Sequence, residues 1–226
     1  MNKVYACADL HGMLPLWRQI QEFCDESDTI YVLGDAADRG PDSWETLKEV
    51  LRDPRVKYVK GNHDVMMLDS WRSDWQDSYL WLVNGGQVTM DQMLRDPDYE
   101  KYLRELTKQP IKRVYERADG SKVHLTHAGF TILRNDFYPD DEDLIWDREH
   151  WFDSCDDENS NDWIVCGHTP ILSSTMKHAS LWAPMDFNNT YTVARSGHKI
   201  CIDGGCFATG RIALLDLDTF EEKVFK

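Results

Sequence analysis

The chain has 226 residues, 42% of them hydrophobic, which favours one domain over 1–226 with a substantial core rather than two small domains. The formal net charge of −15 argues against stable nucleic-acid binding, because proteins that bind the phosphate backbone usually carry a basic face. The apolar run from Val4 to Ala8 is too short for a signal-peptide core or a membrane span, so we expect a cytoplasmic protein, without a membrane partner, whose six cysteines are reduced thiols.

The first half of the sequence alternates short apolar runs with helical patterns. Strands are predicted at 3–8, 29–34 and 56–61, and helices at 14–27, 42–53 and 97–110. Asp42 is followed three residues later by Glu45, which predicts a capping box at the start of the second helix. This half of the chain therefore predicts a βαβαβ arrangement.

The second half contains further apolar runs but few helical patterns. Strands are predicted at 122–129, 162–170, 199–205 and 211–218. The segments 138–162 and 173–198 are long, polar and irregular, and we interpret 173–198 as a flap over a site or, nearly as well, as a surface excursion. His178 and His198 in that segment are interpreted as ordinary exposed histidines. The whole pattern predicts a mixed α/β fold built around one or two sheets.

Residues of the types that bind metal ions follow five of the predicted strands. They are Asp9 and His11, Asp35, Asn62 and His63, His127, and His168. Each one alone reads as a turn or surface residue. Together they predict a single site, because the carboxyl ends of the strands in an α/β sheet are where ligands bind.

The ligand types indicate an open catalytic metal site. Carboxylate, imidazole and amide groups suit Mn²⁺, Fe or Zn²⁺, whereas a closed structural zinc site would use thiolates. We expect two divalent ions, with Mn²⁺ favoured and Asp35 as the carboxylate that both ions share. The other ligands divide between Asp9 and His11 for the first ion and Asn62, His127 and His168 for the second. Such a pair lowers the pKa of a bridging water and provides a hydroxide nucleophile near neutral pH.

Three further residues fit the transfer of a phosphoryl group. Arg39 directly follows Asp38 and can bind a phosphate oxygen bidentately. His63 lies beside Asn62 and can protonate the departing alkoxide. Asp38 can keep the His63 imidazole protonated, since a nearby carboxylate raises imidazole basicity.

Five ordered blocks carry a family resemblance: "ADLHG", "GDAADRG", "GNHD", "THAG" and "GHTP". They resemble the signature blocks of the PPP-type metallophosphoesterases. The stretches "WLVNGG", "LIWDREHW" and "CIDGGCFATGRIAL" are most similar to the bacteriophage-lambda and bacterial serine/threonine protein phosphatases. The resemblance extends from Lys3 to about Leu215, and the pair GDxxDRG and GNH is very specific.

The resemblance implies a calcineurin-like fold, a central β-sandwich flanked by helices, and the same six metal ligands. It also implies that His63 is the general acid, that Asp38 is its partner, and that Arg39 and Arg148 bind phosphate. Arg148, in "IWDR", rests on the resemblance alone. The implied activity is that of a metal-dependent protein serine/threonine phosphatase whose partner is a phosphorylated protein or peptide.

Three departures from the family pattern bear on the substrate. Ala8 stands where eukaryotic members have glycine, Asp64 replaces the glutamate of GNHE, and "THAG" replaces HGG. None removes a ligand, but they weaken any inference to eukaryotic-type substrates. A dinucleoside tetraphosphatase or another small phosphoester hydrolase remains the main alternative. A non-catalytic scaffold is less favoured, because every ligand position is filled, and a nuclease is disfavoured by the charge and by the DRG block.

Overall fold

Ten strands are present in the computed structural model of this chain, which describes residues 2–130, 140–148, 161–171 and 192–226. They are β1 (Val4–Cys7), β2 (Thr29–Leu33), β3 (Val56–Val59), β4 (Lys112–Glu116), β5 (Lys122–Thr126), β6 (Trp163–Cys166), β7 (Ala194–Ser196), β8 (Lys199–Cys201), β9 (Ile212–Asp216) and β10 (Glu222–Phe225). The first sheet has the order β10-β9-β1-β2-β3, and the second has the order β4-β5-β6-β8-β7. The mixed α/β sandwich implied by the sequence is confirmed.

Each sheet has three parallel strands flanked by antiparallel ones. In the first sheet β1, β2 and β3 are parallel, and β9 and β10 extend it antiparallel. In the second sheet β5, β6 and β8 are parallel, while β4 and β7 pair antiparallel at the edges. The carboxyl ends of neighbouring parallel strands lie at the same edge of their sheet, so the loops that follow them are brought together.

The core between the sheets follows from the alternation of side chains along a strand. Tyr31 and Leu33 of β2 pack in a buried cluster with Leu125 and Val165 of the second sheet. Val32, between them, points to the opposite face and packs with the helices. The first sheet is therefore buried on both faces, as is usual for parallel strands.

Eight α-helices surround these sheets within the described ranges. They are α1 (Leu14–Phe23), α2 (Ser43–Arg52), α3 (Asn62–Arg72), α4 (Tyr79–Trp81), α5 (Gln87–Met93), α6 (Tyr99–Thr107), α7 (Asp143–Trp146) and α8 (Cys206–Thr209), and a π-turn, Leu82–Gly86, joins α4 to α5. Helices α1 and α2 bury Trp17 and Leu47 in the cluster that contains Val32. None of the helices in the described part is long and apolar enough to cross a membrane.

Two local predictions for the first half are wrong. Helix α1 ends at Phe23 rather than near residue 27, because Asp25 and Asp28 form a turn in which the Asp28 carboxylate accepts the Asp25 N–H at 2.9 Å. The capping box of α2 is absent, since the Asp42 side chain makes no capping hydrogen bond. Glu45 instead forms an ion pair with Lys48 at 2.8 Å.

The second half differs from prediction at the two irregular segments. Residues 143–146 form α7, and 194–196 form β7, which pairs with β8. His198 is half-buried against the Trp163 ring, at a centroid distance of 4.7 Å, and is not an ordinary exposed histidine. The proposed flap over most of 173–198, together with His178 and Cys155, lies outside the described residues. No disulfide joins the five cysteines that are described.

Candidate active site

The loops that follow β1, β2, β3, β5 and β6 bring the predicted ligands together. Backbone strain is concentrated in these loops. Among the described residues, nine non-glycine residues have a positive φ, and six of them are predicted site residues: Asp9, His11, Asp35, Asp38, Arg39 and His168. A left-handed conformation is disfavoured for side chains with a Cβ, so it persists only where the surrounding structure enforces it, commonly at functional sites.

Four ligand atoms form one tight group. Asn62 Oδ1 lies 2.9 Å from His127 Nε2 and 3.0 Å from His168 Nδ1. The two histidine nitrogens are 3.2 Å apart, and His127 Nε2 is 3.3 Å from Asp35 Oδ2. These are the four side chains that the sequence assigns to the second ion. Asn62 and His127 are buried, as are Asp35 and His168.

Hydrogen bonds to main-chain carbonyls orient the histidine rings. His127 Nδ1 lies 2.7 Å from Leu33 O, and His168 Nε2 lies 3.2 Å from Trp146 O. A carbonyl can only accept, so in each neutral ring that nitrogen carries the hydrogen and the other nitrogen directs a lone pair at Asn62 Oδ1. Lone pairs that converge in this way suit a cation, and metal-ligating histidines usually donate their other N–H to such an acceptor.

The electrostatics of this group also favour positive charge. Burial lowers the pKa of His127, but the attraction of Asp35 outweighs it and raises the pKa to about 10. Burial alone would raise the pKa of Asp35, yet the charges of His127 and His63 hold it well below its usual range. Asp35 is therefore a buried anion that favours a positive charge beside it, supplied by a proton on His127 or, when that ring is neutral, by a bound cation.

A second group shares Asp35. His11 Nε2 lies 4.0 Å from Asp9 Oδ1 and 3.9 Å from Asp35 Oδ2, and His11 Nδ1 is 2.9 Å from Ala37 O. Ligand atoms of Asp9, Asp35 and His127 lie within 4.8 Å of one another, as do those of His11, Asp35 and His63. Asp35 thus belongs to both groups, and the donors around it fit two cations rather than one.

Close packing explains the glycines of the GNH and GH blocks. A Cβ at Gly61 would lie 2.2 Å from Asp35 Oδ1, and a Cβ at Gly167 would lie 2.1 Å from Asp9 Oδ2. Both distances are far below van der Waals contact, so any larger residue would displace a carboxylate of the site.

The Arg39 guanidinium enters the site from the surface. Its Nη1 lies 2.6 Å from His11 Nε2, and its Nη2 lies 2.7 Å from His63 Nε2, so it donates to one lone pair on each ring. The residue remains exposed to solvent. A forked cation in this position can bind a phosphate oxyanion that approaches the ligand groups.

His63 and Asp38 form a buried pair beside Arg39. His63 Nδ1 lies 2.6 Å from Asp38 Oδ2, and the two side chains are 3% and 1% exposed. The His63 N–H accordingly points at the carboxylate, and Nε2 is directed at the site. This is the geometry that a proton donor held by a carboxylate requires.

Arg148 lies beside the ligand His168. Its Nη1 donates to His168 O at 3.1 Å and to Thr169 Oγ1 at 3.2 Å. Burial lowers its pKa, and the charges of Asp203 and Asp9 act in the opposite direction. The residue that the sequence assigned by resemblance alone is therefore adjacent to a predicted ligand.

Several side chains of the site were not identified from the sequence. Tyr58 donates to Asp64 Oδ2 at 2.9 Å, and that oxygen also accepts the N–H of Gly61 at 2.9 Å and of Asp35 at 3.3 Å. Burial and the charge of Asp35 raise the pKa of Asp64 to about 7. This pair ties the loop after β2 to the loop after β3.

Asp203, Trp81 and Thr89 were also missed. Asp203 is buried, and burial raises its pKa to about 6. The Trp81 indole N–H and the Thr89 hydroxyl both donate to Asp38. All three lie in or near "CIDGG" and "WLVNGG", blocks whose likeness was recognised but whose spacing does not say which side chains face the site.

The model of the calcineurin-like phosphoesterase family matches residues 2–202 of the chain, which includes all six predicted ligands. The chain belongs to the calcineurin-like phosphoesterases. The family resemblance is confirmed, and the two ligand groups fit the binuclear divalent metal site of this family. The phosphoesterase is therefore assigned to the hydrolases of phosphoester bonds.

Relatives of this phosphoesterase have more than one substrate class. It is 25% identical to serine/threonine-protein phosphatase 2 of Salmonella typhimurium, over 95% of this chain and 92% of that protein. It is 30% identical to the symmetrical bis(5'-nucleosyl)-tetraphosphatase of Proteus mirabilis, over 56% of this chain and 44% of that protein. A crystal structure described as a putative diadenosine tetraphosphatase has the same fold, with a TM-score of 0.63 and 16% identity over 99% of this chain and 93% of that one.

Proposed function

We propose that this phosphoesterase is a two-metal protein phosphatase that hydrolyses phosphoserine and phosphothreonine in proteins or peptides. The observation that carries the chemistry is the convergence of two donor groups on the shared carboxylate of Asp35. The substrate class is supported by likeness to a bacterial serine/threonine phosphatase along nearly the whole length of both chains.

In the proposed chemistry, Asp9, His11 and Asp35 would hold the first ion, and Asp35, Asn62, His127 and His168 would hold the second. Two divalent cations, most readily Mn²⁺, would lower the pKa of a water molecule and neutralise part of the phosphoryl charge when bound. Arg39, beside His11 and His63, and Arg148, beside His168, would bind the remaining phosphate oxygens.

The leaving group is the task of His63. Its Nε2 lies 2.7 Å from Arg39, at the edge of the ligand groups where a phosphate oxygen would bind. Once protonated there, His63 donates that proton to the departing serine or threonine alkoxide. The Asp38 carboxylate, 2.6 Å from Nδ1, stabilises the positive charge that the ring carries before the transfer.

A dinucleoside tetraphosphatase activity is the second candidate, favoured by the 30% identity to the tetraphosphatase of Proteus mirabilis. The charge near the site argues for the peptide substrate. Residues 140–142 are acidic and exposed, and they precede α7, whose Leu144 O accepts the Ala128 N–H next to His127 at 2.9 Å. These acids repel a polyanionic tetraphosphate more than a singly phosphorylated basic peptide.

The deciding experiment compares metal-reconstituted protein on phosphoserine, phosphothreonine and phosphotyrosine peptides, diadenosine tetraphosphate and an aryl phosphate. We expect the largest kcat/KM for the serine and threonine peptides, activity with Mn²⁺, and its loss on chelation. A kcat/KM for diadenosine tetraphosphate above that of every peptide would establish the second candidate instead. If none of these substrates is hydrolysed in the presence of metal ions, the proposed function is refuted and a non-catalytic scaffold is favoured.

A matched pair of charge variants tests the argument about the acidic residues. The variant Asp141→Asn with Glu142→Gln should raise kcat/KM for diadenosine tetraphosphate by about 3-fold at low salt, with a smaller gain at high salt. The control Glu22→Gln with Glu26→Gln makes the same change in net charge at exposed positions near the amino end of β2. Equal gains in the two variants would contradict a local effect.

A further inference from the structure

The carboxylate of Asp38 has more partners than His63. Its Oδ2 accepts the Trp81 indole N–H at 2.8 Å as well as contacting His63 Nδ1. Its Oδ1 accepts the Thr89 hydroxyl at 2.5 Å, and the same hydroxyl oxygen accepts the Asp38 N–H at 3.0 Å. Both oxygens of Asp38 are thus held by neutral donors from a distant part of the chain.

Burial makes these contacts strong. Trp81 and Thr89 are fully buried, and Asp38 is 1% exposed. A buried carboxylate without hydrogen-bond donors is strongly unfavourable, so the two donors offset the loss of hydration. Because they are neutral, they satisfy the carboxylate without cancelling its charge, and that charge remains available to His63.

The geometry also fixes the orientation of the Asp38 carboxylate towards His63. The Trp81 N–H occupies one side of Oδ2, and Thr89 fixes Oδ1, so the carboxylate cannot rotate away from His63 without breaking a buried hydrogen bond. The Arg39 N–H donates to Gly85 O at 3.1 Å, between the two donors in sequence. The segment 79–93 therefore holds the Asp38–Arg39 loop at three points.

Glycines and a helix irregularity make this contact possible. A Cβ at Gly86 would lie 2.4 Å from Trp81 Nε1, and a Cβ at Gly85 would lie 2.7 Å from the Arg39 side chain. Gly85 has φ 105° within the π-turn Leu82–Gly86. Such turns inside α-helices are frequent at functional sites, and here the turn lies between Trp81 and Thr89.

We propose that Trp81 and Thr89 are positioning residues that hold the Asp38 carboxylate against His63 and so support proton donation to the leaving group. Both donate hydrogen bonds to Asp38, and they act through that carboxylate. This assignment rests on the proposed function, in which His63 is the general acid.

The test uses Trp81→Phe, which removes the N–H and keeps an aromatic ring, and Thr89→Val, which removes the hydroxyl at similar volume. Each variant is assayed with two substrates. The alkyl phosphate is a phosphoserine peptide, and the aryl phosphate has a leaving group that needs little protonation. We expect kcat for the alkyl substrate to fall by about 10-fold to 100-fold, the aryl rate to fall much less, and KM to change little. Thr89→Ser, which restores the hydroxyl, should recover most of the loss.

Two control variants remove equivalent contacts elsewhere. Trp44 is buried and donates its N–H to Asp96 Oδ2 at 2.9 Å, and Thr46 is buried and donates to Asp42 O at 2.8 Å. Trp44→Phe and Thr46→Val should lower stability without any difference between alkyl and aryl substrates. If they reproduce the difference, the effect is general destabilisation and the assignment is wrong.

His63→Asn separates this inference from the proposed function. Suppose that His63→Asn loses more activity on the alkyl substrate than on the aryl substrate, while Thr89→Val and Trp81→Phe lose activity equally on the two substrates. The positioning role of Trp81 and Thr89 is then refuted, and His63 is retained as the general acid. If His63→Asn itself affects the two substrates equally, the proposed acid is wrong, and the positioning role fails with it.

Discussion

The two sheets contribute to the site in different ways. The loops of the first sheet supply both ligands and reactive groups, whereas the described loops of the second supply two ligand histidines and, near them, Arg148. The first-sheet residues are Asp9, His11, Asp35, Asp38, Arg39, Asn62 and His63. In the proposed mechanism, the proton donor His63 and its partner Asp38 therefore follow strands of the first sheet, whereas the second ion would take ligands from both sheets.

The contacts that hold the residues also differ between the sheets. First-sheet residues are fixed largely by buried side chains, such as the Tyr58–Asp64 pair and the Trp81 and Thr89 donors to Asp38. His127 and His168 are held by main-chain groups: each ring contacts a carbonyl, and Gly167 N–H donates to His127 O at 2.7 Å. Side-chain substitutions can therefore disturb the first-sheet residues selectively, whereas the positions of His127 and His168 depend on the backbone.

Asp35→Asn should have the largest effect, because Asp35 joins the two groups. Loss of its charge should reduce kcat/KM by roughly 10³-fold and reduce metal content, since a binuclear site supplies several kcal/mol of transition-state stabilisation. Activity and inductively coupled plasma analysis of metal content are the measurements. Asp28→Asn, also buried but at the amino end of β2, is the control and should retain both. Full activity and full metal content in Asp35→Asn would contradict the two-ion assignment.

His63→Asn should remove only the proton donor, which the first sheet supplies, and leave the metal ligands of both sheets in place. We expect metal content to stay normal and kcat on an alkyl phosphate to fall by about 10²-fold to 10⁴-fold, with a smaller loss on an aryl phosphate. The matched control is His124→Asn in β5, which removes a histidine that pairs with Asp162 at 3.3 Å. An equal loss on both substrates would argue against His63 as the acid.

Arg39→Ala and Arg148→Ala compare the arginine supplied by the first sheet with the arginine supplied by the second. Each should weaken inhibition by inorganic phosphate and lower kcat/KM by about 10-fold to 100-fold, the effect of a charge-assisted hydrogen bond, with little change in melting temperature. Arg113→Ala, which removes an arginine bound to Tyr58 O at 3.0 Å, controls for lost arginine packing. Unaltered phosphate affinity in a folded Arg148→Gln, which removes the charge, would reduce Arg148 to a structural role.

The smallest predicted effect is a change in stability, and it concerns the helices that cover the first sheet. Asp96 accepts hydrogen bonds from Lys48 and Trp44, and the Lys48 contact is the main reason that its pKa is lowered to about 2. A lowered pKa stabilises the fold above the unfolded value of about 4, and this contribution disappears as the pH falls towards 2. Asp96→Asn should lower the free energy of unfolding by about 1 kcal/mol at neutral pH, without loss of activity.

Chemical denaturation as a function of pH measures this effect. The difference between Asp96→Asn and the unsubstituted protein should vanish near pH 2. Asp69→Asn, which removes an exposed ion pair with Arg72, is the control and should change stability by less than about 0.5 kcal/mol. A difference that persists unchanged at low pH would show that the carboxylate charge is not responsible.

Hydrophobic patterning sufficed to predict the interior strands β1, β2, β5, β6, β8 and β9, because most of their residues are buried and their apolar runs end sharply, and it also predicted the edge strand β3, whose last two residues are buried. The other three edge strands, β4, β7 and β10, were missed, since most of their residues are exposed or half-buried and they lack an apolar run. Helix α3 was missed although its first residues, Asn62 and His63, were recognised as site residues, because the block that contains them was interpreted by its ligands rather than by its periodicity.

The sequence by itself determined which residue types follow the strands, and strand direction then determines that they meet. Tertiary structure alone decided the two neutral donors to Asp38, because Trp81 and Thr89 lie 43 and 51 residues away from it in the chain. A buried aromatic or hydroxyl side chain looks the same in sequence whether it fills the core or donates a hydrogen bond. The pairing depends on the π-turn and on close glycine contacts, which exist only when the helices pack against the loop after β2.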